Sequence, residues 1–132
     1  MIALNTNVLV RFLVEDDKAQ LAKVRSLFER SLKNKSALFV SDVVVCEAVW
    51  VLLSVYRLPR SEVAEAIGRL LQASNLIFQD EGLLARALDS FVAGKADFAD
   101  CVIQQHAEAA GCTAVVTFDR ALLKERGFAL PA

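Results

Sequence analysis

The sequence has a single histidine, His106, and only three cysteines, Cys46, Cys101 and Cys112. The cysteines show no paired spacing and lie among apolar or small residues, so they are expected as reduced packing residues. A zinc site needs a Cys/His set and is not expected. His106 falls in a predicted helix interior and reads as a surface or packing residue. No apolar run is long enough to cross a bilayer: Val43–Val55 is the longest, carries Glu47 and falls well short of about 20 residues. No basic segment precedes the first apolar run, which Asn5 and Asn7 interrupt, so no signal peptide is expected. These features imply a cytoplasmic chain with no membrane attachment. The net charge is −1, so no global basic field advertises nucleic-acid binding, although 15 Lys and Arg leave room for a local basic rim. There is no internal repeat, low-complexity tract or linker. The length of 132 residues suggests one domain, 1–132, with a sizeable core. Hydrophobic residues make up 55% of the chain and the mean hydropathy is +0.41, an excess that points to an apolar interface with a second chain.

Short apolar runs alternate with helical patterns. Ile2-Ala3-Leu4 reads as a buried parallel strand, and Val8 to Val14 as a short helix after the polar break Asn5-Thr6-Asn7. Ala19 to Leu32 is amphipathic, with Leu21, Val24, Leu27, Phe28 and Leu32 on one face. Leu38–Val40 is a second strand. Ser41 suits the N-cap of a helix over Asp42 to Val55, and Ser61 that of a helix over Glu62 to Gln72. Leu76–Phe78 is a third strand and Glu81 to Val92 a helix ended by Gly94. Asp97 opens a helix running to about Ala110. Ala114–Val116 is the fourth strand, Arg120 to Glu125 a short helix, and Phe128 to Leu130 a candidate edge strand. The alternation predicts an α/β fold: a three-layer α/β/α sandwich around a central parallel sheet of four or five strands.

Ligands gather at the carboxyl ends of parallel strands, where Asn5, Thr6 and Asn7 fall. Thr6 and Asn7 are equally suited to capping the following helix. Glu47 is the only charge in VVVCEAVWVLLSV. Inside a buried helix it needs a partner or a cation; the alternative is a narrow solvent-facing stripe. Asp97 and Asp100, three apart at a helix start, face the same way, and each also fits N-terminal capping or dipole compensation. Asp119 follows Ala114–Val116 much as Asn5 follows Ile2–Leu4. Converging carboxylates raise one another's pKa, and a hard divalent cation with a preference for oxygen, Mg²⁺ or Mn²⁺, relieves that cost.

Four fragments in order, LNTNVLVRFL, CEAVWVL, ADFADCVIQQHA and AVVTFDR, cover nearly the whole chain. With these fragments the chain resembles the PIN-domain ribonucleases and, within them, the VapC toxins of bacterial toxin–antitoxin pairs. The resemblance implies a metal-dependent endoribonuclease with metal ligands at position 5, Glu47, Asp100 and Asp119. Asp97 is an accessory candidate, and Thr6, Asn7 and Thr117 supporting polar residues. It also implies a homodimer and a cognate VapB-like antitoxin whose C-terminal segment covers the active site. The departure is Asn5, where the family has Asp. Asn keeps a carbonyl oxygen and loses the charge, so a weakened or inactive form is expected, whether by design or by natural variation.

On this reading Mg²⁺ or Mn²⁺ activates water for in-line attack on an RNA phosphodiester. Arg11, Arg120 and Lys95 would neutralise RNA phosphates, or serve only as solvated surface charges. A second reading is a catalytically silent binding module for an antitoxin or RNA, which Asn5 favours. A response-regulator-like domain fits poorly: it would want paired acids after the first strand and a lysine after the last main one.

Overall fold

Apolar triplets too short for helices, set between amphipathic segments, give the chain its α/β architecture. The computed structural model describes residues 1–132 and contains five strands, all paired in parallel, and six α-helices. The residues form two compact units, Met1–Glu81 and Gly82–Ala132.

In the first unit β1 (Ile2–Ala3), β2 (Leu38–Val40) and β3 (Leu76–Phe78) form a ladder in the order β1-β2-β3. Ile2 pairs with Leu38, and Leu38 with Leu76. Helices α1 (Thr6–Leu13), α2 (Lys18–Asn34), α3 (Asp42–Ser54) and α4 (Arg60–Leu71) connect and flank these strands, α1 packing on both α2 and α3. Leu9, Val40, Val45, Leu52, Val63 and Ile67 are almost fully buried, and each such side chain contributes about 1.5–3 kcal/mol. Phe12 of α1 stacks on Phe28 of α2, ring centroids 4.0 Å apart.

The second unit holds α5 (Glu81–Ala93), α6 (Phe98–Ala109), β4 (Val115–Val116), a single 3₁₀ turn (Leu122–Lys124) and β5 (Phe128–Ala129). Val115 pairs with Phe128 and Val116 with Ala129. Phe91 of α5 meets Phe98 of α6 edge to face at 5.8 Å. Gly94 lets α5 end against Glu125: a Cβ there would lie 2.5 Å from Glu125 Oε2, while Glu125 Oε1 accepts a hydrogen bond from the Lys95 N–H at 2.7 Å.

The α/β class and the all-parallel pairing are as the sequence predicts, and the candidate edge strand at Phe128 forms. The strands hydrogen-bond in two ladders, one of three and one of two. Four local expectations change. α1 starts at Thr6 rather than Val8 because the cap is Asn5, whose Oδ1 accepts the Thr6 N–H at 2.8 Å. Ser41 caps α3 as expected, through Val44 N–H. Pro59, not Ser61, precedes α4, its fixed φ of −60° entering the helix without a side-chain cap. Arg120–Glu125 tightens to one 3₁₀ turn. Ile2, expected in a buried strand, is exposed on the two-residue strand β1, and Val116 is exposed on the two-residue strand β4. No helix is long and apolar enough to cross a membrane.

Candidate functional site

The sequence-predicted residues fall into two groups, one in each unit. The first is built where β1 ends. Asn5 stops the strand by capping α1, so Thr6 and Asn7 become the first turn of that helix rather than its cap. Asn5, Thr6, Asn7 and Arg11 line a cavity of about 400 Å³ together with Glu47 of α3 and Tyr56 just beyond its end. Thr6 Oγ1 is buried without a hydrogen-bond partner.

Glu47 is on this wall, but not for the reason its sequence context suggests. It is exposed, and so are its neighbours one turn away on the same face, Val43 (64%) and Trp50 (62%). Because α3 is apolar on both its core face and its outer face, its composition conceals which side meets water. Burial therefore imposes no demand for a partner on Glu47. Its place on the cavity wall remains.

Arg11 is tied into a polar network. Its Nη1 donates to Asp16 Oδ1 at 2.7 Å and to the Tyr56 hydroxyl at 2.8 Å, and its Nε donates to Gln20 Oε1 at 2.6 Å. The Tyr56 hydroxyl donates in turn to Asp16 Oδ2 at 2.9 Å. The hydrogen bond to Tyr56, followed by the Asp16 charge, holds the Arg11 proton more tightly than usual. The guanidinium thus fastens the break before α2 to the end of α3. Tyr56 carried no sequence signal: its partners lie 40 and 45 positions away.

The second group is acidic. Asp97 occupies the N-cap position of α6 without a side-chain capping bond, and Asp100 lies in the first turn of that helix. Asp119 follows β4. Its N–H donates to Thr117 Oγ1 at 3.0 Å, and its Oδ1 accepts from the Ala121 N–H at 2.9 Å. Thr117 is in turn held by its N–H to Ala129 O on β5. Asp100 is half-buried, and its carboxyl is pushed above the ordinary range by that burial first and then by the charges of Asp97 and Asp119. The structure thus brings these three carboxylates within electrostatic reach of one another. Lys95 and Arg120 are exposed near them in sequence.

In neither unit do three Asp, Glu, Cys or His side chains close on one point as a finished metal cage. The donor set is nevertheless of one chemical kind. It consists of carboxylate oxygens that repel one another, which is what a hard divalent cation neutralises and what a soft metal does not need. His106 is exposed on α6, and Cys101 is buried in its core-facing side. Burial, and then the neighbouring Asp42 carboxylate, pushes the Cys46 thiol up to about 11, which keeps it protonated and inert at neutral pH.

Against known families, the PIN domain model matches residues 2–128. No curated protein is significantly similar in sequence.

Proposed function

The chain belongs to the PIN domain family, a family of nucleases that typically use divalent metals, and from that premise we propose that it is an endoribonuclease of the VapC toxin type, weakened at residue 5. The observation that carries the proposal is the Asp97–Asp100–Asp119 group, in which Asp100 is half-buried and its carboxyl is raised first by that burial and then by the charges of Asp97 and Asp119. Asp100 and Asp119 are the principal cation ligands of the second unit, with Asp97 an accessory, and Glu47 and residue 5 are the candidate ligands of the first. When bound, Mg²⁺ or Mn²⁺ lowers the pKa of a water and neutralises phosphate charge for in-line attack on RNA.

The chain's own residues prepare this chemistry. Asp119 spends Oδ1 on the Ala121 N–H, which orients the carboxylate and leaves Oδ2 as an acceptor. Thr117 fixes the Asp119 backbone. Lys95 and Arg120 attract the RNA backbone. Arg11 acts differently from a phosphate contact: committed to Asp16, Gln20 and Tyr56, it holds the wall of the Asn5–Glu47 cavity. Asn5 contributes a neutral carbonyl already engaged by Thr6 N–H, so it is a poor substitute for a carboxylate. The exposed Val43 and Trp50 on α3 support a homodimer, and the 400 Å³ cavity supports docking of an antitoxin segment. Both belong to a cytoplasmic toxin–antitoxin pair.

The test is cleavage of single-stranded RNA by the chain and by its Asn5→Asp variant, with Mn²⁺ or Mg²⁺ and with a chelator. The variant is expected to cleave, to stop on chelation, and to be toxic to cells without an antitoxin. Absence of cleavage by either form under any divalent cation would replace this reading with a silent binding module, which the uncharged, cap-engaged Asn5 favours.

A further inference from the structure

Of the eight phenylalanines in the chain, seven are buried or half-buried. Phe118 is the exception. At 82% exposure it is the most exposed large hydrophobic side chain in the protein. A lone exposed apolar residue is ordinary; the position of this one is not. It directly precedes Asp119 and is followed two positions later by the exposed Arg120. The backbone on both sides of it is pinned. Thr117 N–H bonds Ala129 O at 2.9 Å, Asp119 N–H bonds Thr117 Oγ1 at 3.0 Å, and Leu123 N–H bonds Asp119 O at 3.2 Å. The ring therefore stands in water on a backbone that is already fixed, so that binding has only its side-chain rotamers left to order.

We infer that Phe118 is a stacking platform for a base of single-stranded RNA, placed beside the phosphate that the acidic group receives. The proposal rests on the nuclease reading above and adds a base-binding residue to it. Phe118, Asp119 and Arg120 supply in consecutive residues an aromatic face, a carboxylate and a cation. These are the groups that meet a base, a metal ion and a phosphate. Single-stranded nucleic acids are held by this combination of stacking and positive charge, and the stacking tolerates any sequence because every base has a π-face. Bases in a duplex already stack on one another and gain nothing from the ring. Single-stranded RNA of any sequence, rather than a duplex, is the ligand this segment fits.

The test uses the full chain in Mg²⁺ at low temperature, with a short single-stranded RNA carrying 2-aminopurine and checked by gel to be intact. The parent chain is expected to quench the 2-aminopurine fluorescence. Phe118→Ala should weaken binding about tenfold, equivalent to ~1.4 kcal/mol and within the range for stacking one base, and should abolish the quenching. Phe118→Trp should restore both. Phe118→Leu, which keeps an apolar surface without a π-face, should behave as Phe118→Ala does; Leu restoring full binding would overturn stacking in favour of a plain apolar contact. The corresponding duplex should bind parent and variants alike. Circular dichroism confirms folding, which so exposed a side chain does not support. Parental affinity and quenching in Phe118→Ala, or no RNA binding by the parent, overturn the inference. The two readings separate in the Asn5→Asp background. Metal-dependent cleavage with KM unchanged by Phe118→Ala keeps the nuclease and removes the platform. Phe118-dependent quenching with no cleavage under any divalent cation keeps the platform and removes the nuclease.

Discussion

Replacing Asn5 by Asp changes one atom of a residue whose structural role is visible. Asn5 Oδ1 caps α1 through Thr6 N–H, and the first turn of that helix contains no acidic residue. Asp caps as well as Asn, so the hydrogen bond survives. The added charge meets an uncompensated helix N-terminus, which is worth about 0.3–1 kcal/mol. Opposing it is Glu47, which lines the same cavity and, as an exposed like charge, costs a few tenths to about 1 kcal/mol. Without metal the two terms nearly cancel, so Asn5→Asp should unfold in urea within about 1 kcal/mol of the parent. With metal the balance changes. A cation at 100 times its dissociation constant stabilises the fold that binds it by about 2.7 kcal/mol. For a chain of this size that raises Tm by roughly 5–15 °C. Thermal unfolding of both forms in chelator and in Mn²⁺ reads this directly. The expected result is near-equal Tm in chelator and a clearly larger Mn²⁺-induced rise for Asn5→Asp. An equal rise in both forms would refute the assignment of position 5 as a ligand. A large Tm difference in chelator would show that the cap and charge terms have been misjudged.

Asp100→Asn should stabilise the metal-free protein at pH 7. A carboxyl whose folded pKa is raised favours the fold below its unfolded value and loses that contribution as pH rises through the folded pKa, so the gain should vanish near pH 3 in urea titrations. With alkylating reagent at pH 8, the exposed Cys112 should react and Cys46, with its pKa of about 11, should not; the Cys46 thiol favours the fold up to about pH 9 and that contribution fades as pH rises through 11. Gly127→Ala should cost about 1–3 kcal/mol, more than Gly111→Ala, because both have positive φ but only at Gly127 does a Cβ meet a neighbour, Gln104 at 2.8 Å. Leu52→Ala should cost about 2–5 kcal/mol in the same unfolding assay, its side chain being fully buried.

Much of the fold is legible in single stretches. Leu38–Val40 and Leu76–Phe78 occupy the strands their apolar runs suggest, because helices on either side leave those triplets no other regular structure. Ser41 reads correctly because capping chemistry is local. The misreadings share a cause: the sequence tells what a residue can do, not which of its uses is taken up. Asn5 looks like a strand-end ligand and is also the cap that Thr6 or Asn7 seemed suited to be. Glu47 looks buried because the residues around it are apolar, yet Val43 and Trp50 are exposed beside it. Arg11 looks like a phosphate contact, and only its distant partner Tyr56 explains where its guanidinium points. Phe118 carries no signal of its own in the sequence, and only the structure shows it exposed just before the turn that Asp119 caps. The acidic positions are legible as a set for the opposite reason. Asp97 and Asp100 lie on one helix turn and Asp119 just after a strand, so simple geometry already groups them.

The central claim is that the carboxylates around Asp100 hold a cation that cleaves RNA. The most direct measurement is Mn²⁺-dependent cleavage of a labelled single-stranded RNA by Asn5→Asp beside Asn5→Asp/Asp100→Asn, both verified as folded. The account predicts chelator-sensitive cleavage by the first and a loss on the order of a hundredfold or more in the second, the scale of removing one electrostatic group from a reacting centre. Equal cleavage by the two would contradict it.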